Sequence, residues 1–427
     1  MPLFRRSRAP QLASPEAIAG FWAWWTTEGA RHCAHLIDGG NLPALEPVIG
    51  PAVQQMHPDL AWEVGPGRNG GRLLVVTAAG DPRLRATARR WLQAAPAPDG
   101  PWEYADTRQP SPDAETGRLH LGATGIAFAD LRAGWRVDED RVRVDVAVHH
   151  PEFASLDEGR RLQIAFLALD ALLGEEAVEL WVGALTAVVD EPAGATTLAP
   201  LRTAVRDLAA RHAGPEPTWQ LLHADDGTGR PLLAMVRLPL TSAAAPHLDA
   251  HVRVELPYAG EDSGLPRPDE LERLRDLEDR IEAVLGSHGR VVAHQTSAGL
   301  RTLHVYADRT TDAADRVVAS VAGSPDVRTS VTDDPAWEAV AHHRGLAPTA
   351  AGRPARTRGR GRRRRTRAPA TAARPGPADR APRSRARTRG APVRACGPAH
   401  AAAAARGAAA RCNRDRRSAA GTRDRAP

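Results

Sequence analysis

Lysine is absent from this chain: all 57 of its basic residues are arginine. Without an ε-amine the chain can form no Schiff base with a carbonyl substrate or a cofactor aldehyde, and it lacks the lysine of a nucleotide-binding P-loop. Cysteine is scarce as well. Cys33 stands alone in residues 1–345, with only Cys396 and Cys412 beyond, so no disulfide framework is expected and a reducing cytoplasm is the natural compartment. Long apolar runs are missing. The best, residues 181–189, is bounded by Glu179 and Asp190 and is too short to cross a membrane. Arg5, Arg6 and Arg8 are followed by no apolar core or small-residue cleavage site, so neither an export signal nor a membrane partner is expected. No Gly-x-Ser-x-Gly nucleophile elbow occurs.

What is present is divided unevenly. Residues 346–427 hold 23 arginines, three acids (Asp379, Asp415, Asp424) and no Trp, Tyr or Phe. Such a segment cannot bury enough apolar surface to offset its ordering entropy, and it is expected to be a disordered Arg-rich tail. The formal charge of +6 describes neither half, because residues 1–345 carry 34 arginines against 48 acids. In the tail, Arg362, Arg363, Arg364, Arg365 and Arg367 form a run that would attract phosphate backbones by counterion release. No aromatics are interleaved there for bases to stack on. The same composition is what an out-of-frame reading of a gene with strongly biased coding would give, so a selected arm and a translation artefact both stand as readings.

Before the tail, three blocks follow from turn-rich boundaries at 109–116 and 213–217: residues 14–108, 117–212 and 218–343, the first two able to form one domain. In the first, Ser14-Pro15-Glu16 opens a helix through Asp38, closed by Gly39-Gly40. A second helix over 43–57, strands at 60–64 and 72–77, a helix over 82–95 and an extended 102–104 complete it. The second block predicts paired strands at 126–130 and 142–148, a helix over 157–173 ended by Gly174, a strand over 180–189 and a helix over 198–212. In the third, strands are predicted at 219–223, 232–238, 251–256, 291–295, 300–306 and 327–331. Helices are predicted at 268–285 and 311–322, with a short closing one near Trp337. Leu271, Leu274, Leu277, Ile281 and Val284 make one apolar stripe on the first of these helices. Strands and helices mixed in this way argue for an α+β fold with helices on one face of each sheet.

Several motifs suggest chemistry that their context denies. Gly65-Pro66-Gly67-Arg68-Asn69-Gly70 matches a dinucleotide fingerprint in letters, but a strand follows it where a phosphate-holding helix is needed, so it reads as a hairpin turn. His32 and His35, beside Cys33, are spaced to reach one ion, yet no further ligand cluster of recognisable spacing accompanies them. His149-His150 end a strand, where neighbours point to opposite faces. No metal, cofactor or catalytic residue is expected from any of these.

The third block carries Asp262-Ser263-Gly264-Leu265-Pro266, then Glu270-Leu271 and Leu277-Glu278-Asp279. His294-Gln295-Thr296, Gly299, Arg301-Thr302-Leu303-His304 and Tyr306 follow. This order and spacing resembles the bacterial family of domain of unknown function six hundred and ninety-five, which looks related to the regulator B protein that inhibits ribonuclease E. The resemblance covers residues 218–343. It implies a ferredoxin-like α+β fold and no catalytic residues. Phe21-Trp22-Ala23-Trp24 and the run from Phe166 to Glu175 resemble the region preceding this domain in longer bacterial proteins. Candidate recognition residues are Gly264, Leu265 and Pro266 in the loop and His294, Thr296, Arg301, His304 and Tyr306 in the hairpin. A two-residue turn at Ala298-Gly299 places His294 opposite Leu303, whereas a three-residue turn through Leu300 places it opposite His304.

The reading that follows is a non-enzymatic cytoplasmic regulator acting by protein contact, with a ribonuclease as the partner the resemblance suggests. Nucleic-acid binding through the arginine tail is a second reading, and an enzyme with a site near His294, His304 and Tyr306 a third.

Overall fold

The computed structural model describes residues 13–348, apart from 69, 98–100, 122–123, 215–216, 226 and 325, together with Ala395–Cys396. Of the tail expected to be disordered, residues 346–348 and Ala395–Cys396 are described, and the rest, with the arginine run 362–367, lies outside the described residues. The fold is α+β, and no described helix is long and apolar enough to cross a membrane.

The first helix starts where its cap predicts. The Ser14 hydroxyl accepts from the Ala17 N–H, Pro15 takes the first turn, and α1 runs over Pro15–Trp24. A π-helical turn, Trp25–Gly29, joins it to α2, Ala30–Asp38, and the rod ends at Gly40, whose φ of 72° suits glycine. Next come α3 (Glu46–Met56), the hairpin β1 (Ala61–Pro66) and β2 (Arg72–Thr77), α4 (Arg85–Gln93), and β3 (Trp102–Ala105) parallel to β2. The core is aromatic: Phe21, Trp22 and Trp25 meet Trp91 and Trp102, with Trp22 and Trp91 stacked 4.8 Å apart. A strand does follow the glycine-rich turn, and the Gly67 N–H donates to the Gly71 carbonyl across it.

The second block differs from expectation at two points. Strand β4 (Arg118–Leu121) pairs with β5 (Thr124–Ala127), which gives way to a 3-10 turn at Phe128–Asp130. The antiparallel partner of β7 (Arg143–His149) is therefore β6 (Arg132–Asp138), not residues 126–130. The alternation of β6 is hidden because most of it is only partly buried and Gly134 makes room for Pro192. After α5 (Glu158–Leu173), the chain turns at Gly174 (φ 84°) into a further helix, α6 (Glu175–Trp181), before β8 (Val182–Val188). Burial of Glu175 draws this helix in: its carboxylate accepts from the Gly80 and Arg108 N–H groups and contacts Thr77. Helix α7 (Leu198–Arg211) completes the block.

Buried arginines tie the blocks together. Arg85, 1% exposed, pairs with Glu179 at 2.9 Å, and Arg108 with Asp170 at 3.1 Å. Arg90 reaches into the third block, where it meets Asp249 and Asp308, each at 2.8 Å.

The third block opens with the hairpin β9 (Thr218–Asp225) and β10 (Pro231–Leu238). It continues as β11 (Ala250–Pro257), α8 (Pro268–Leu285), β12 (Gly289–Ser297), β13 (Leu300–Ala307), α9 (Ala313–Val321) and β14 (Arg328–Asp333). The last six elements form a β-α-β-β-α-β series whose strands lie side by side as β14-β11-β13-β12, all antiparallel. The hairpin β10-β9 and a two-residue strand β15 (Ala347–Pro348) extend the sheet to seven strands. A two-residue strand β16 (Ala395–Cys396) lies beside β1. Of the stripe read on α8, Leu274, Leu277 and Ile281 are buried against Val252, Val254, Leu303 and Val305, Val284 packs half-buried beside them, and Leu271 is half-buried outside this cluster. The opposite face is covered by a 3-10 segment, Glu338–Gly345, and by residues 240–248, with Trp337 and Val340 packed on Tyr306, Val292 and Ala293.

Candidate functional site

The β12–β13 hairpin turns in two residues. Ala298 (φ 50°) and Gly299 (φ 79°) both take left-handed angles, as a type I′ turn requires, and Ser297 pairs with Leu300. His294 consequently lies opposite Leu303, and His304 opposite Ala293. Alternation then sends His294 to the helix face and His304 and Tyr306 to the other. A pocket joining these three side chains does not form.

On the helix face the sequence candidates His294, Thr296 and Arg301 are gathered by one residue of α8. Glu278 accepts from Arg301 Nη1 at 2.8 Å and lies 3.1 Å from His294 Nδ1, while Arg301 Nε donates to the Thr296 hydroxyl. Burial opposes ionisation of Glu278, yet its partners His294 and Arg301 hold the carboxyl below its ordinary value. The loop candidates lie nearby and serve this hairpin. Gly264 is buried, its carbonyl accepts from Tyr258 Oη at 2.7 Å and from the Gly299 N–H at 3.1 Å, and a Cβ there would press on Ala298. Leu265 and Pro266 are half-buried in the same loop, with Pro266 bridged to Gly260.

On the opposite face, His304 meets partners that its neighbours in sequence do not reveal. His251 of β11, opposite Tyr306, places Nε2 3.1 Å from His304 Nδ1. His343 and His342 of the closing segment bring their rings to 5.3 and 6.0 Å from that of His304. His304, His342 and His343 each offer one ring nitrogen, and these nitrogens all lie within 4.8 Å of one another. Tyr306 stacks on Trp337 at 4.4 Å and donates to Asp334 Oδ2. Asp334 also accepts the Glu338 and Ala339 N–H groups at the start of the closing segment. Trp337 takes a left-handed φ of 56°, unusual for a bulky residue, and is held there by the stack and by its indole donating to the Leu248 carbonyl.

Electrostatics of this face follow mainly from burial, which outweighs the nearby Asp334 carboxylate at His251. Desolvation lowers the pKa of His251 to about 4 and that of His343 to about 4, while burial and the neighbouring imidazoles take His304 to about 2. Burial, with the Asp334 carboxylate added, pushes the Tyr306 phenol well above its ordinary value. The imidazoles of the cluster are therefore neutral at pH 7. The ring nitrogens His304 Nε2, His343 Nδ1 and His343 Nε2 are buried without a hydrogen-bond partner among the described residues. His251, His342 and His343 were not singled out by the sequence. Only the adjacent His342-His343 pair offered a signal, and a dipeptide does not show what it packs against.

The other motifs stay apart. His32 and His35 are exposed on α2, while Cys33 is buried and desolvation raises its thiol to about 11. His149 sits on β7 against β8, and His150 caps the next 3-10 turn by accepting from the Glu152 N–H. A cleft of about 250 Å³ between α6 and the third block is flanked by Arg237, Arg290 and Trp181.

Residues 229–341 match the family described as Family of unknown function (DUF695). The match runs from the turn before β10 to the closing segment, so it contains both faces of the sheet and four of the clustered residues, His251, His304, Tyr306 and Asp334. No curated protein and no solved structure matches the chain.

Proposed function

We propose that the chain is a non-enzymatic, cytoplasmic regulatory protein whose ferredoxin-like third block binds a partner protein along the free edge of its sheet. One observation carries this reading. Strand β14 ends the strand order, pairs with β11 on one side only among the described residues, and leaves Val331 48% exposed. An edge strand with an outward apolar side chain is a template for an extended segment of another protein, through main-chain hydrogen bonds and a side-chain anchor. The resemblance to the regulator B inhibitor of ribonuclease E makes an endoribonuclease the first partner to test. The lone buried Cys33 and the lack of a paired cysteine in its block suit a reducing compartment.

The test adds purified full-length chain to a purified ribonuclease E-type enzyme and follows both RNA cleavage and co-elution. Val331→Lys, which places a charge on the edge without touching the core, should abolish an inhibition that the unaltered chain produces. Unchanged cleavage together with separate elution refutes the reading.

The arginine run 362–367 favours a second reading, binding of nucleic acid through phosphate contacts. Affinity for RNA should then fall steeply with salt and vanish when the chain is cut after Gly345; affinity that survives the truncation rules this reading out.

A further inference from the structure

We propose that His304, His342 and His343 form a site for one divalent transition-metal ion of the zinc class, which clasps the closing segment onto the sheet. The inference is independent of the edge-strand reading, since it lies on the covered face and β14 contributes nothing to it.

Three observations converge. First, the candidate nitrogens lie within 4.8 Å of one another, from β13 and from two successive residues of the closing segment. Bonds of about 2.0–2.1 Å in a tetrahedral site place nitrogens roughly 3.3 Å apart, so the set must contract by about an ångström or more. His342 is exposed and held by a 3.3 Å contact to Gln295 Oε1, and it is the ring free to make that move. Second, His304 Nε2 and both nitrogens of His343 are buried and lack partners among the described residues, with the residues 5% and 1% exposed. Orphaned polar atoms at that depth cost on the order of 1–3 kcal/mol each, and a bound cation would satisfy at least two of them. Third, an outer partner is already in place. When His304 Nδ1 carries the proton and donates to His251 Nε2, the Nε2 lone pair of His304 points free.

The donor set defines the ligand class. Three imidazoles suit zinc, copper or nickel and disfavour magnesium and calcium, which take oxygen ligands. Asp334, the nearby carboxylate, is occupied by Tyr306 Oη and two backbone N–H groups. Because His342 is exposed, the fourth position opens to solvent, where a water molecule completes the tetrahedron.

The test uses the full-length chain stripped with chelator and then titrated with Zn²⁺ by calorimetry and with Co²⁺ by visible absorption. One equivalent should bind, Co²⁺ should give the intense bands of tetrahedral coordination, and Zn²⁺ should raise the melting temperature. His342→Ala removes an exposed ligand without a folding burden and should weaken Zn²⁺ binding by more than about 100-fold. His251→Asn should cost about 10–100-fold, as loss of an outer partner does. His35→Ala, on an exposed helix elsewhere, should change nothing. Zn²⁺ affinity and stoichiometry unaltered in His342→Ala, or no binding by the unaltered chain, overturns the proposal. Should His304→Ala fail to fold, His342→Ala and His343→Gln still decide it.

Discussion

The two faces of the seven-stranded sheet are built from the same strands, yet they handle polar groups in opposite ways. On the helix face, His294 and Arg301 are matched by the carboxylate of Glu278, and the rest is aliphatic packing from α8 and α9. On the other face, imidazoles meet imidazoles, several ring nitrogens are unmatched among the described residues, and the Asp334 carboxylate is taken up by Tyr306 and the closing segment. A regular helix can present an acid at a chosen turn of its stripe. The short 3-10 cover offers few side chains, Val340 and two more histidines among them. His294 and Arg301 on the helix face thus have a matching charge, while the covered face holds the unsatisfied donors and acceptors that a ligand could use.

The contrast can be broken most strongly at Trp337. Trp337→Ala removes the stack on Tyr306 and the indole hydrogen bond that hold the cover, and it should cost about 3–5 kcal/mol in denaturant unfolding. If the loss is that large while α8 and α9 stay protected in hydrogen exchange, the two faces are separately organised. A smaller effect comes from acid. His251, His304 and His343 are held below the ordinary imidazole value, so at pH 7 they are neutral folded or unfolded and contribute no pH dependence. As the pH falls from ~6.5 toward 4, the unfolded chain takes up protons that the folded cluster refuses. Stability should therefore decline across that window, by on the order of 3 kcal/mol from His251 alone at its lower end. Urea midpoints measured in steps of pH would show the decline, and His251→Asn should flatten it.

Glu278→Gln tests the opposite face. It withdraws the charge that matches Arg301, which is only 7% exposed, and should cost about 1–3 kcal/mol, discounted for the partial exposure of Glu278. The zinc affinity of the covered face should not change, and a change there would show that the two faces are coupled. The smallest effect is expected from Val331→Lys, within about 0.5 kcal/mol on stability because the side chain is already exposed. Its consequence should be confined to partner binding, measured by co-elution.

Much of this architecture could be read in the residues themselves. The helix that Ser14 caps, the apolar stripe of α8, and the strands of the third block have local periodicity strong enough to survive tertiary context. The second block was less legible. The strand β6 carries no clean alternation, and the helix α6 depends on a glutamate buried by partners some hundred residues earlier in the chain. At the candidate site, His294, Thr296 and Arg301 stand in the sequence only as members of a longer candidate set with Gly264, Leu265, Pro266, His304 and Tyr306, and it is Glu278, legible in sequence only as part of a spacing pattern, that joins them. His304 was picked for a pocket with His294 and belongs instead with His251, His342 and His343.

By itself the sequence determined the α+β class, the enrichment of arginine and near-absence of acids in the last 82 residues, the two-state choice of hairpin register, and the chemistries that a lysine-free chain cannot perform. These follow from composition and from contacts between near neighbours. Tertiary structure decided which register was taken, and with it which histidine faces which layer. It also brought β11, β13 and the closing segment to one point, and it buried Arg85, Arg90 and Arg108 against acids of other segments. Side chains more than a few turns apart meet only when the chain between them has packed. Their joint chemistry therefore has no local signature for a sequence to carry.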